Sequence, residues 1–325
     1  MKCILFLLAS CVPLLASCEY KDLCYDHSHT GVVNVRFDWQ KVHDLDAKGM
    51  TVLFYDTQET TGEPERYDFV GRDGGSARLL AGDYRGVGYN YDTETILYRG
   101  TESSSTLEAY TRRSSIEEGT QMSVISRGFT MPRAAGTEQE QVILEPDPLC
   151  GAQSDAFHMT ANTSETVTIT PAMRTKVVMV TINHVPNLQY TSQIGGALTG
   201  LAPSVNMTTG ELGEGCVTQS FTSSSRGDST IVMRFNIFGH CPHAQGGSYN
   251  THQLTVYAVL ADGSKWYYTQ DVGDQMHNPS HTGNGDDVEI DIVINNLPIP
   301  KPIVNGSGFQ PTVDGWQGVE IYVDM

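Results

Sequence analysis

Between Val33 and Trp39 the chain reads Val-Asn-Val-Arg-Phe-Asp-Trp, with an apolar residue at every second position. Successive side chains of an extended strand point to opposite faces, so this pattern describes a strand with one face buried and the other wet. The same grammar recurs. Strands are expected over residues 51–56, 65–70, 77–80 and 84–90, then again over 165–171, 176–183, 229–238, 253–260, 265–272 and 287–294. Asp73-Gly74-Gly75, Ala81-Gly82-Asp83 and Asp262-Gly263 fall between such runs and read as tight hairpin turns. Short alternating runs joined by turns predict an all-β chain of antiparallel sandwiches.

A chain of 325 residues has room for two such units. The first sandwich is expected over residues 31–148, a linker over 149–162 and the second sandwich over 163–297. The polar stretch from Arg99 to Gly136 reads as a long excursion or edge hairpin of the first unit, with Gln141 to Glu145 as its closing strand. Residues 298–325 differ in character. Pro298, Pro300 and Pro302 impose an extended spacer, Gly306 and Gly308 loosen it, and a strand-like run follows from Trp316 to Val323. Such a strand, presenting Trp316, Val319, Ile321 and Val323, has to pair with an edge, its own unit's first or else a partner's.

The N-terminus carries a different signal. Lys2 precedes the apolar run Cys3 to Ala9, and Leu15-Ala16-Ser17-Cys18 follows. A basic start, a short apolar core and small residues before a break describe a signal peptide over residues 1–17. The run is interrupted by Pro13 and falls short of the roughly 20 apolar residues that span a bilayer. Leu15-Ala16-Ser17-Cys18 resembles the bacterial lipobox, which makes Cys18 the acylated first residue of a mature protein and residues 18–30 its tether. A lipid such as palmitate on Cys18 would hold the protein to a membrane at about 0.8 kcal/mol per buried methylene. An ordinary secretory signal cut near Ala16 is the competing reading.

Removing residues 1–17 changes the formal charge from −18 to −19, because Lys2 is the one charged residue lost. So acidic a chain repels nucleic acid, whose phosphates need clustered Lys and Arg. Of seven cysteines, Cys3, Cys11 and Cys18 are accounted for by the signal and the lipid, leaving Cys24, Cys150, Cys216 and Cys241. Four thiols in an oxidising compartment allow two disulfides by three connectivities. The expected pairs are Cys216 with Cys241 and Cys24 with Cys150.

Candidate chemistry is sparse. Cys24, Asp26, His27 and His29 form one cluster, His240, Cys241 and His243 another, and His252, His277 and His281 follow. These are zinc- or copper-ligand residue types. Turn histidines beside disulfide cysteines account for them equally, and no metal site and no cofactor is expected. Common catalytic motifs are absent from the sequence, so no enzyme is expected. Arg226-Gly227-Asp228 spells an integrin-type tripeptide, read as an ordinary exposed turn. Tyr89, Tyr91, Trp266, Tyr267 and Tyr268 could stack on sugars, but alternation puts Trp266 and Tyr268 on one face and Tyr267 on the other, and strand aromatics more often fill a core.

Four stretches carry a family resemblance: residues 18–27, Tyr91-Asp92-Thr93-Glu94, residues 197–206 and residues 308–316. Taken in order, they make the chain similar to fimbrillin-like lipoproteins, the family of anchor and accessory subunits of type V pili. The resemblance covers nearly all of the mature chain. It implies two tandem transthyretin-like β-sandwiches, outer-membrane attachment through Cys18, exposure to the cell exterior and a role as fimbrial anchor, tip or accessory subunit. It also implies fimbrial subunits as partners, joined by β-strand donation, for which Trp316 to Val323 is the candidate strand. Arg112-Arg113 matches the residue type after which stalk subunits are cut, but lies inside the expected first unit. The alternative within this frame is a surface adhesion protein that binds a glycan or a host surface ligand.

Overall fold

The computed structural model of the chain describes residues 29–58, 62–122, 130–242, 251–278, 289–302 and 315–320, and these are built almost wholly of strands. The first run comprises β1 (Thr30–Phe37), β2 (Gly49–Asp56), β3 (Glu65–Val70), β4 (Gly74–Leu80) and β5 (Gly82–Asn90). An excursion follows with β6 (Ile96–Arg99), β7 (Glu108–Thr111), the short helix α1 (Ile116–Gly119) and β8 (Gln141–Ile143). The chain returns through β9 (Cys150–Gln153), β10 (Phe157–Met159), β11 (Ser164–Ile169) and β12 (Ala172–Met173). Its second half holds β13 (Lys176–Asn183), β14 (Thr191–Leu201), β15 (Ser204–Asn206), β16 (Val217–Thr222), β17 (Ser225–Arg226) and β18 (Ile231–Ile237). Then come β19 (Gln253–Leu260), β20 (Lys265–Asp271), the helix α2 (Gly273–His277), β21 (Glu289–Asn295) and β22 (Trp316–Glu320).

Two sandwiches result. In the first, a sheet ordered β11-β1-β4 faces one ordered β12-β9-β5-β2-β3. Val33, Val35, Leu79 and Ile169 from the smaller sheet meet Met50, Val52, Phe54 and Met159 across the core. In the second, β17-β18-β13-β21 faces β22-β20-β19-β14-β16-β8. There Val178, Val180, Ile182, Met233 and Ile292 pack against Ile194, Leu198, Leu254, Val256 and Tyr268. Each fully buried aliphatic or aromatic side chain contributes about 1.5–3 kcal/mol, so these two clusters carry the fold.

A third layer joins the units. Strands β15, β7 and β6 form a small sheet, and Ile96, Leu107 and Ala109 meet Leu53 and Tyr89 of the first unit and Val205 and Phe238 of the second. This explains why β2 is buried at nearly every position: its two faces lie in two different clusters.

Several strands stand where alternation puts them, among them β3, β13 and β19, but their partners differ from a reading of neighbours in sequence. The turns at Asp73-Gly74-Gly75 and Ala81-Gly82-Asp83 are not hairpins, since β4 lies in the sheet opposite β3 and β5. Residues 141–145 do not close the first unit; β8 pairs parallel with β16 of the second. The expected linker holds β9 and β10, both of which pair with β5. The run from Glu165 opens no second unit, because β11 pairs parallel with β1 and its Val167 and Ile169 complete the first core. The excursion after Arg99 covers the second unit, where Ile116, Met122 and Met131 pack on Ala197, Tyr257 and Val259. Alternation identifies a strand and its apolar face; a partner 130 residues away leaves no local mark.

Candidate functional site: a strand edge closed by the tail strand

β19 and β20 are joined at Asp262-Gly263, a hairpin turn as expected. Asp262 Oδ1 accepts from the Ser264 amide at 2.9 Å and from its hydroxyl at 2.6 Å, which fixes the reversal. β20 would then be the exposed edge of its sheet. β22 covers that edge, pairing parallel from Lys265↔Trp316 to Thr269↔Glu320.

The register decides what β22 buries. Val319 stands opposite Tyr268 and packs on the main core, while Trp316 falls on the other face with Tyr267 and Tyr257. The rings of Trp316 and Tyr257 meet edge to face, 5.5 Å between centroids. Gly318 lets this happen: a Cβ there would run into the Tyr267 ring, which lies across the strand. Tyr257 is locked beneath by its hydroxyl, which donates to Pro132 O at 2.6 Å, and Tyr268 donates to Pro298 O at 3.1 Å. Burial raises both phenols well above the usual tyrosine range, so both stay neutral donors.

Yet the seam is weakly held. Its backbone hydrogen bonds contribute about 1 kcal/mol each, offset by about 1–2 kcal/mol per residue of backbone ordering. Trp316 and Val319 are only half-buried. The indole N–H groups of Trp266 and Trp316 are buried without a hydrogen-bond partner among the described residues, a cost of about 1–3 kcal/mol apiece.

The opposite sheet treats its edge differently. Gln275 of α2 accepts from the Val293 amide at 2.7 Å and donates to Val293 O at 3.3 Å, so one side-chain amide occupies the edge of β21 as a strand would. Nothing in the sequence marks Gln275 for this; only the placement of α2 reveals it.

The other predicted residues fall as follows. Cys18, Cys24, Asp26, His27, His243, His281, Ile321 and Val323 lie outside the described residues. Cys216 and Cys241 form a disulfide. Cys150 is a buried free thiol rather than a partner of Cys24: the linker it was assigned to is strand β9, which carries its side chain into the first core. Burial pushes that thiol up to about 12. Among the aromatics, Tyr89 and Tyr268 are buried, Trp266 and Tyr267 pack on the two faces of the second sheet, and Tyr91 covers Gly49. They form no shared platform. Arg226 of the tripeptide donates to Thr191 O at 2.7 Å, and the tripeptide is exposed. Arg112 pairs with Glu118, and Arg113 bridges to Ile143 beside β8.

Comparison with known proteins agrees with the resemblance drawn from the sequence. Residues 17–222 match the family described as Domain of unknown function (DUF5119). Over 104 residues, 32% of this chain, the sequence is 36% identical to a Bacteroides ovatus protein provisionally named fimbrium anchoring subunit Fim4B. That match spans 30% of the relative's length. A crystal structure provisionally described as an adhesin from Bacteroides ovatus superposes with a TM-score of 0.56 at 21% identity, covering 89% of this chain and 100% of the other. Another, provisionally described as a polysaccharide binding protein from Bacteroides thetaiotaomicron, gives 0.50 at 10% identity, covering 82% and 90%. At these identities the two structures establish the fold alone.

Proposed function

From the premise that this chain belongs to the family described as Domain of unknown function (DUF5119), we propose that it is a structural subunit of the cell surface. In this reading it is a fimbrial anchor, tip or accessory subunit that engages neighbouring subunits by β-strand pairing. The observation that carries it is β22 lying on the edge of β20, held by two half-buried side chains. A strand that covers an edge in cis can be given to the corresponding edge of a neighbour, where main-chain hydrogen bonds supply affinity and alternate side chains supply specificity.

The relative named as a fimbrium anchoring subunit supports the same role. Attachment would run through acylated Cys18 to the outer membrane, with the sandwiches facing outward. Among the described residues no helix is long and apolar enough to cross a membrane. No catalytic role is proposed. The adhesion or glycan-binding reading would need an exposed aromatic cluster, and of the aromatics that suggested one only Tyr91 is exposed, the other four being buried or packed on the faces of their sheets.

The test uses the mature chain with Cys18 replaced by Ser, alongside a form truncated before Trp316. Each is mixed with fimbrial subunits purified from the same cell and run through size exclusion. A complex formed by the longer chain and lost on truncation supports strand pairing. A chain that ignores every subunit would overturn the assembly role and return the question to adhesion. Growth with labelled palmitate, comparing the wild-type precursor with Cys18→Ala, tests the anchor separately.

A further inference from the structure

One corner of the second sandwich gathers three histidines that an assembly role does not use. His240 follows β18, His252 leads into β19 and His277 ends α2. Their ring centroids stand 6.2 Å apart for His240 and His252, 5.3 Å for His240 and His277, and 4.9 Å for His252 and His277. Three imidazoles on one tetrahedral zinc, each nitrogen at about 2.0–2.1 Å, put their ring centroids roughly 5 Å apart. His277 stands near that spacing from both other rings, and the His240–His252 pair is wider.

His252 is fully buried, and its Nδ1 lies 3.0 Å from the carbonyl oxygen of Thr199. A carbonyl only accepts, so Nδ1 carries the proton and Nε2 the lone pair. Nε2 is buried with no hydrogen-bond partner among the described residues. One ring N–H on a carbonyl with the other nitrogen left as an acceptor is the arrangement that orients metal-binding histidines. Leaving such an acceptor buried and unused costs about 1–3 kcal/mol, which a bound cation would remove.

The scaffold around the ring is rigid. Gly200 has φ +75°, and a Cβ on it would come within 2.8 Å of His252 Nδ1, so the ring seats only against a residue without a side chain. Gly200 O accepts from the Cys241 amide at 2.8 Å, and the Cys216–Cys241 disulfide fixes the residue next to His240. The Val272 amide donates to His252 O at 2.8 Å, which sets the start of α2 and with it His277. His240 and His277 are half-buried, which leaves an ion a route from solvent. As placed, no three His, Cys, Asp or Glu side chains among the described residues already close a ligand shell. Side-chain rotation of His240 and His277 toward the fixed His252 would close one.

We propose that His240, His252 and His277 form a binding site for a divalent transition-metal ion, zinc being the ion that three imidazoles and an open fourth position suit best. Bound there, the ion ties the end of β18, the start of β19 and α2 into one corner.

The experiment titrates the chelator-stripped mature chain with zinc chloride and measures bound metal after equilibrium dialysis. One zinc per chain is expected, with a melting temperature that rises with zinc concentration. His240→Ala and His277→Ala change half-buried rings and should each weaken binding by about tenfold or more, each variant being compared with its own metal-free melting temperature. Cobalt in place of zinc should give the visible absorption of a tetrahedral ion, lost in both variants. Absence of saturable binding, or one tightly held zinc persisting in both variants, would overturn the site.

Discussion

In the first sandwich β1 lies between β4 and β11, and β2 between β3 and β5; in the second, β13 lies between β18 and β21, and β14 between β16 and β19. Both units close their smaller sheet with a late strand running parallel to an early one, β11 on β1 and β21 on β13. The larger sheets differ at their edges. That of the first unit stops at β3 and at β12, a strand of two residues. That of the second is lengthened at both ends, by β8 out of the first unit's excursion and by β22 out of the tail. β8 is buttressed on its outer side, where the Ser114 amide donates to Val142 O at 2.8 Å. β22 has no outer strand among the described residues. One added strand, β8, thus holds the two halves together, while the other, β22, lies at the edge of its sheet.

The largest effect should separate a locked parallel strand from a replaceable one. Ile169→Ala in β11 empties a fully buried site and should cost about 2–5 kcal/mol in urea denaturation, whereas Val319→Ala in β22 should cost under about 1 kcal/mol. Equal costs would erase the distinction. Replacing Cys216 and Cys241 by Ser opens a bridge across a sequence separation of 25 and should cost about 3 kcal/mol, confined to the second unit.

An effect of similar size, but confined to low pH, comes from the buried histidine. Burial first, with His277 and His240 adding to it, pushes His252 down to about 4 from 6.5. Between those values the unfolded chain binds the proton that the folded chain refuses. Stability is therefore full above about pH 6.5 and falls as pH drops toward 4, by up to about 3 kcal/mol. With a chelator present, His252→Gln should flatten that slope by about one proton. Smallest of all, truncation before Trp316 should leave the denaturation midpoint nearly unchanged while amides of β20 exchange faster.

What the sequence carried was local. Period-two runs such as Lys176 to Asn183 and Gln253 to Leu260 became strands with those ends, and Asp262-Gly263 became a hairpin. β14 went unread because Gly195, Gly196 and Gly200 break its alternation, although it is the central strand of its sheet. Alternation over residues 165–171 marks a strand and suggests the second sandwich, but β11 belongs to the first, since its partner β1 lies far back along the chain. The tail strand was legible from Trp316 onward, as was the chance of pairing in cis; its edge was not, because β20 becomes an edge only once β19 and β14 have taken their places.

In the proposed role β22 leaves β20 in order to join a neighbour. Thr269 and Glu320 face each other in register, and adjacent strands lie about 4.8 Å apart, within reach of a disulfide. The double variant Thr269→Cys, Glu320→Cys should bind fimbrial subunits when mildly reduced and fail to bind when oxidised, while the parent chain binds under both conditions. Equal binding by the oxidised, locked form would contradict the account.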